Sequence, residues 1–307
     1  MQTTINRTLR SVVGLGSSAV GVSMAPILRE LSIPPIAATV AASRARAYLK
    51  AQQLRTYICD LACTPFRSPH SVWTNGTVRW LNRWAKWPGV ATNGNAPVKW
   101  ATDMAPRVLA DRVRDTVWER ADRAVSTASS MSLYSAAAFP SLLPSAVSLP
   151  LDVTYGIPIM IQLRTRAFPT ARRLAKAHSL SAEFLHRCPV CSKDVPESIP
   201  HMLLECPRWA ALRTVLREST PALSRIIDSL SSSTEDKVIM LLGGSPPNAA
   251  DAHVAALVTD FHSIWIDSLP PIARFVLHLS QARKRFLREL GVLPPSRISR
   301  MGLRPNG

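Results

Sequence analysis

The chain has 307 residues, 47% of them hydrophobic, and a formal net charge of +17. That apolar fraction excludes wholesale disorder, and so basic a surface favours a polyanion partner, most often nucleic acid. The excess of Arg and Lys is spread along the chain rather than gathered into one localisation-type run, and 25 prolines predict many broken elements.

In chain order, Asn6–Val13 predicts a short basic helix stopped by Gly14 and Gly16. Ser23–Leu31 predicts a second, stopped at Ile33-Pro34-Pro35. Ile36–Leu61 predicts a longer Ala- and Arg-rich helix, with Val40, Ala47, Leu54 and Ile58 at helical spacing. Its exposed face would show Arg44, Arg46, Lys50 and Arg55, and together these pieces form a helical segment over 1–61. Met1–Arg10 already holds two arginines and the next stretch is rich in Gly and Ser, so no secretory leader is expected. Cys59 and Cys63 are a C-x3-C pair with no third ligand nearby and read as buried thiols.

Residues 62–125 read as a Trp- and Pro-rich region. Within it Val78–Trp87 sets Trp80, Trp84 and Trp87 on one helical face beside Arg79, Arg83 and Lys86. Such a stripe is a base-stacking platform or, the reading preferred on burial grounds, a small core. Ala105–Val125 is an amphipathic helix with Pro106 in its first turn. Residues 126–150 read as a Ser/Ala/Pro linker. The uncharged run Ala124–Leu151 has the length of a membrane span, but Pro140, Pro144, Pro150 and many serines transfer poorly into hydrocarbon, so no membrane partner is expected.

Residues 151–217 contain a basic stretch and a cysteine-rich motif. Residues 218–293 predict helices over Glu218–Leu242, His253–Leu269 and Pro271–Leu290, the last carrying Arg283-Lys284-Arg285. A loop over Gly243–Asn248 separates the first two, and 294–307 is an expected flexible tail.

Cys188, Cys191, His201 and Cys206 stand in the pattern C-x2-C-x9-H-x4-C. The first spacing lets a tight turn aim two thiolates at one ion, and the later pair completes a tetrahedron. Three thiolates and one imidazole suit Zn²⁺ and leave no position for a reacting water, which points to a structural zinc. On an ideal α-helix His201 and Cys206 would lie about 140° apart, so the backbone must unwind near Cys206-Pro207. His178 and His186 flank the motif outside its spacing, as surface or outer-shell residues. The expected fold class is therefore mainly α: short helical segments joined by Pro-rich loops, with a small zinc knuckle-like module over part of 151–217. Clustered cysteines of this kind argue against a disulfide framework and for an intracellular, reducing compartment.

Before the knuckle, Arg164, Arg166, Arg172, Arg173 and Lys176 present five positive charges with no acid between them, and Arg187 follows. They read as phosphate contacts to RNA or DNA, or as a solvated face. Leu163-Arg164-Thr165, Phe168-Pro169-Thr170, Arg173-Leu174, Cys188–Cys191, Glu197, His201–Pro207 and Trp209 together resemble the zinc-binding segment that follows the polymerase domain in reverse transcriptases of non-LTR retrotransposons. Residues 1–60 are more weakly similar to the helical segment after the thumb in the same polyproteins. The resemblance implies a nucleic-acid-binding C-terminal region, an association with the full-length reverse transcriptase and a nuclear location.

The departures from the family are specific. A polymerase palm needs paired aspartates for its metal ions, and the chain contains no Asp-Asp. Asp251, Asp260 and Asp267 fall on a helix-like stretch rather than in a strand-rich nuclease, and Glu235-Asp236-Lys237 matches a nuclease signature faintly or simply opens a helix. No enzyme activity is expected of this chain. The alternatives are a docking module that uses the knuckle and Trp209, or a polymerase or nuclease whose active residues are not recognisable.

Overall fold

The computed structural model describes residues 2–15, 22–53, 57, 73–85, 104–126, 139, 141–142, 149–230, 233–245 and 252–293. These are mainly helical, with no strand among them. The helices are α1 (Gln2–Val12), α2 (Met24–Glu30), α3 (Ile36–Gln53), α4 (Trp73–Ala85), α5 (Pro106–Ser126), α6 (Leu151–Thr154), α7 (Ile157–Arg164), α8 (Ala171–Lys176), α9 (Ala210–Ser219), α10 (Pro221–Leu230), α11 (Thr234–Leu241) and α12 (Ala252–Glu289). Short 3₁₀ turns cover Ala182–Leu185 and Pro207–Trp209, and a π-helical turn covers His201–Glu205. No helix among the described residues is long and apolar enough to cross a membrane.

The chain divides into two compact units, one of Met1, Thr3–Ser32 and Ala128–Gly307, the other of Gln2 and Ile33–Thr127. The first cut falls inside the segment read from sequence as 1–61. Its opening helices belong with the C-terminal residues because Val13, Ile27 and Leu28 bury apolar surface there that two short helices cannot bury alone.

In the Ile33–Thr127 unit, α3 packs along α5 and α4 packs on α3. The core holds Ala41, Ala45, Tyr48 and Leu49 of α3, Leu81 and Trp84 of α4, and Leu109 and Val113 of α5. This corrects the face expected for α3. Val40 is 59% exposed, and the buried face is the alanine ridge, whose small side chains let α5 approach closely. Trp84 is buried in that core, while Trp80 packs against it with the Arg44 guanidinium 5.7 Å from its ring. Trp87, Cys59 and Cys63 lie outside the described residues.

In the other unit α7 is the axis. Every residue of IPIMIQLR except Pro158 is buried, as expected of a helix apolar on all sides. Gln162 meets its burial by donating to the Val13 carbonyl at 2.5 Å. Within the run read as a linker, Phe139 and Leu142 are buried and the Ser141 hydroxyl donates to the Glu30 carbonyl at 2.7 Å. That part is built into the core; most of the rest lies outside the described residues.

Two helix expectations are corrected. The stretch Glu218–Leu242 is two helices: α9 ends at Thr220, in a non-helical conformation ahead of Pro221, and Ser233 caps α11 by accepting from the Asp236 amide at 3.0 Å. Glu235 and Asp236 thus occupy the first turn of α11, where negative charge complements the helix dipole. Conversely, the break expected at Pro270-Pro271 is absent, and α12 runs through both prolines. Its buried stripe, Phe261, Trp265, Leu269, Ile272, Val276, Leu279 and Leu287, keeps helical phase across them. That continuous burial offsets the roughly 3 kcal/mol a helix-interior proline costs.

Gly156, at the start of α7, lies directly on the α12 backbone: a Cβ there would stand 2.2 Å from the Ala273 carbonyl oxygen. Gly156→Ala is expected to force α7 and α12 apart and destabilise the unit by about 1–3 kcal/mol, read as a lower thermal midpoint by calorimetry.

Candidate metal centre

The cysteine turn begins after the 3₁₀ turn Ala182–Leu185. The Ser192 amide donates to the Cys188 carbonyl at 2.9 Å, and the Cys188 amide to the Lys193 carbonyl at 3.0 Å. These two bonds close a hairpin-like turn, with Ser192 in the left-handed region at φ 58°. Pro189 and Val190 are buried inside it, so the turn presents both thiols to one side.

The second ligand pair answers the spacing problem. Residues His201–Glu205 form one π-helical turn, closed by the Cys206 amide donating to the His201 carbonyl at 2.7 Å. An i→i+5 turn brings Cys206 back over His201, where an α-helix would carry it well away. Cys206 then leaves the turn extended, at φ −59° and ψ 117°, into Pro207. The unwinding expected at Cys206-Pro207 therefore takes the form of a wider turn from His201 onward.

The ligand atoms of Cys188, Cys191, His201 and Cys206 all lie within 4.8 Å of one another, close enough to bind a metal ion. The Cys191 sulfur is 3.4 Å from His201 Nε2. A tetrahedral zinc with Zn–S about 2.3 Å and Zn–N about 2.0–2.1 Å has ligand–ligand edges of about 3.5–3.8 Å, so the cluster closes on such an ion with a contraction of about 1 Å or less. Glu205 Oε2 lies 3.5 Å from His201 Nδ1, the ring nitrogen turned away from the thiols. A carboxylate there favours the ring proton on Nδ1, which leaves Nε2 for a metal. Cys188, His201 and Cys206 are buried and none of the three cysteines is in a disulfide. The Cys188 thiol donating to Cys206 pushes its own pKa far up and draws that of Cys206 down. A metal ion would take the place of the proton shared between the two sulfurs.

Glu197, in the loop between Cys191 and His201, is 1% exposed and binds outward from the cluster. It accepts from Arg283 Nε and Nη2 of α12, each at 2.6 Å, and from the Ala171 amide that opens α8. Arg283 also donates to the Pro169 carbonyl at 3.0 Å and lies over the Phe168 ring. Neither role was assigned from sequence: Arg283 read as part of the basic run Arg283-Lys284-Arg285, and Glu197 only as a motif position.

The predicted nucleic-acid residues separate into three groups. Arg164 is not on the surface, which corrects its assignment as a phosphate contact: it is 1% exposed, pairs with Glu30 at 3.0 Å and donates to the Leu242 carbonyl at 2.7 Å. Its guanidinium also lies 4.7 Å from the Phe139 ring and 5.2 Å from Trp265, so it is a core strut. Arg166, Arg172, Arg173 and Lys176 all line one cleft of about 600 Å³, beside Ser198, Ile199 and Pro200, which lead directly to His201. Arg172 and Lys176 are exposed. Arg173 is half-buried, its pKa lowered by desolvation, and it donates to the Arg166 carbonyl. One acid, Glu235, also lines the cleft. Arg187 is exposed beside the cysteine turn, outside the cleft lining, with Nε 3.3 Å from the Ser192 carbonyl. His178 and His186 are exposed and stand outside the ligand cluster. Trp209 is 5% exposed, so it is core and offers no docking surface.

No protein-family model, no curated protein and no solved structure matches this chain.

Proposed function

We propose that this chain is a nucleic-acid-binding, zinc-organised piece of a non-LTR retrotransposon reverse transcriptase. One observation carries the reading most: four of the five basic residues of the run before the cysteine motif line one cleft, and its wall is the loop that delivers His201 to the Cys/His cluster. A closed Cys₃His set holds a structural zinc, because no ligand position is left for a substrate or water. Zinc would be the resident metal, with Cys188, Cys191, His201 and Cys206 as its ligands. The cleft would grip RNA or DNA through backbone phosphates, which arginine forks match without reading sequence. The reading assigns no reaction to this chain, places it in the nucleus and makes the full-length reverse transcriptase a partner.

The test is a fluorescence-anisotropy titration of the zinc-loaded chain with a single-stranded oligonucleotide at several salt concentrations. Affinity is expected to fall linearly on log–log axes as salt rises. Arg172→Gln with Lys176→Gln is expected to reduce that slope by about 1.4, as for two lost phosphate contacts on a single strand. Binding that is absent, or flat with salt, would overturn the reading in favour of a protein-docking role.

A further inference from the structure

The unit formed by Ile33–Thr127 carries a basic groove of its own. Its cavity of about 540 Å³ has Thr39, Ser43 and Arg46 on the α3 side and Arg107, Asp111 and Arg114 on the α5 side. Each trio is spaced i, i+4, i+7, so each forms a single ridge along its helix. Between the ridges stand only Ala42, Ala110 and Pro34, which leave the space unfilled. Arg114 is partly neutralised by Asp111 at 3.2 Å and Asp115 at 3.4 Å. Arg46 and Arg107 make no hydrogen bond or ion pair among the described residues, although they stand on opposite walls of one cavity.

We propose that this groove is a second phosphate-binding site, occupied by the backbone of a nucleic-acid strand and independent of the metal. Two uncompensated guanidiniums facing one space favour an anion, and their planar forks match phosphate oxygens two at a time. The Thr39 and Ser43 hydroxyls can donate to the same oxygens. Arg107 and Arg114 are separated by about 10 Å of helix axis, so they engage successive phosphates rather than one isolated anion. The lining contains no aromatic ring to stack a base and no Asn or Gln to read one, so the site follows the strand without sequence preference. Both walls are long helices around a packed core that contains none of the metal ligands, so the groove stays formed when zinc is removed. The choice of partner rests on the function proposed above; the site itself does not.

The experiment measures the salt dependence of oligonucleotide binding for three forms of the 307-residue chain: wild type, Arg46→Gln/Arg107→Gln, and Arg172→Gln/Lys176→Gln. All four positions are exposed, and circular dichroism verifies that helicity is unchanged. The Arg46/Arg107 variant is expected to lose about 1.4 of the slope, and wild-type protein with chelator to keep a residual salt-dependent binding that this variant lacks. A reduced slope in both variants supports both sites. Loss only in the Arg172/Lys176 variant overturns the second site and leaves the cleft standing. Loss only in the Arg46/Arg107 variant supports the second site and overturns the cleft, and no loss in either overturns both.

Discussion

Removing zinc with a chelator, or replacing Cys191 with Ser, is expected to unfold the segment from Cys188 to Trp209 while α3, α4 and α5 stay helical. Apart from the Glu197–Arg283 ion pair, which anchors the middle of the loop, the segment has little else to hold it. Between Cys188 and Trp209 the only regular elements are one π-helical turn and one 3₁₀ turn, and neither persists without outside support. Its buried apolar residues, chiefly Val190, Ile199, Met202 and Leu203, are too few to order two turns and a connecting loop. Structural zinc in zinc-finger peptides supplies about 10–16 kcal/mol of apparent binding energy at neutral pH, so on the proposed reading it would be the largest stabilising contribution here. Circular dichroism will register only part of the loss, so the sharper measurement is hydrogen exchange. Protection of the Ser192 and Cys206 amides should vanish with the metal, while protection in α3 and α5 persists. The pH dependence has a fixed sign: thiols must lose protons to bind the ion, so lowering the pH weakens zinc binding and reproduces the chelator's effect. Cooperative unfolding unchanged by chelator would remove the structural zinc from the account.

Much of this centre was legible in the sequence because ligand chemistry is local. Residue type and spacing alone pick out Cys188, Cys191, His201 and Cys206, and the structure brings those four together. Even the difficulty at Cys206 was visible as a mismatch between a five-residue spacing and the α-helical period, although not its solution as a π-turn. The helical class was equally legible from apolar spacing. Charge was not. Arg164 and Arg172 look alike in a basic run, yet one is sealed against Glu30 and the other is exposed. What separates them is a partner 134 residues away in sequence, which no local pattern encodes. The same holds for Arg283, which reads as one of three consecutive basic residues but faces inward on α12 because its helical phase matches Leu279 and Leu287. The α12 prolines misled for a related reason: their local cost is real, and a burial stripe assembled from the whole unit exceeds it.

Glu197→Ala is the second substitution expected to have a large effect. It leaves the Arg283 guanidinium buried with no carboxylate, its remaining contacts being the Pro169 carbonyl and the Phe168 ring. Breaking one side of a buried, doubly hydrogen-bonded ion pair typically costs about 3–5 kcal/mol, because the stranded charge cannot regain water. For a unit of this size that is a drop of roughly 6–20 °C in thermal midpoint, measured by calorimetry on the zinc-loaded chain. Replacing both partners with Met should recover much of the loss, since no charge is then stranded, whereas Arg283→Ala alone should not, because it leaves Glu197 buried. The position of Glu197 adds a consequence that general destabilisation does not explain. Its carboxylate also holds the Ala171 amide, the first residue of the helix that carries Arg172, Arg173 and Lys176. Its backbone belongs to the loop between Cys191 and His201, so the ion pair ties the metal loop to the wall of the basic cleft. The Met/Met protein should therefore be stable and bind zinc, yet bind the oligonucleotide more weakly than wild type, because α8 has lost the acceptor at its first amide. Wild-type affinity in that protein would show that Glu197 only stabilises the fold and has no part in positioning the cleft.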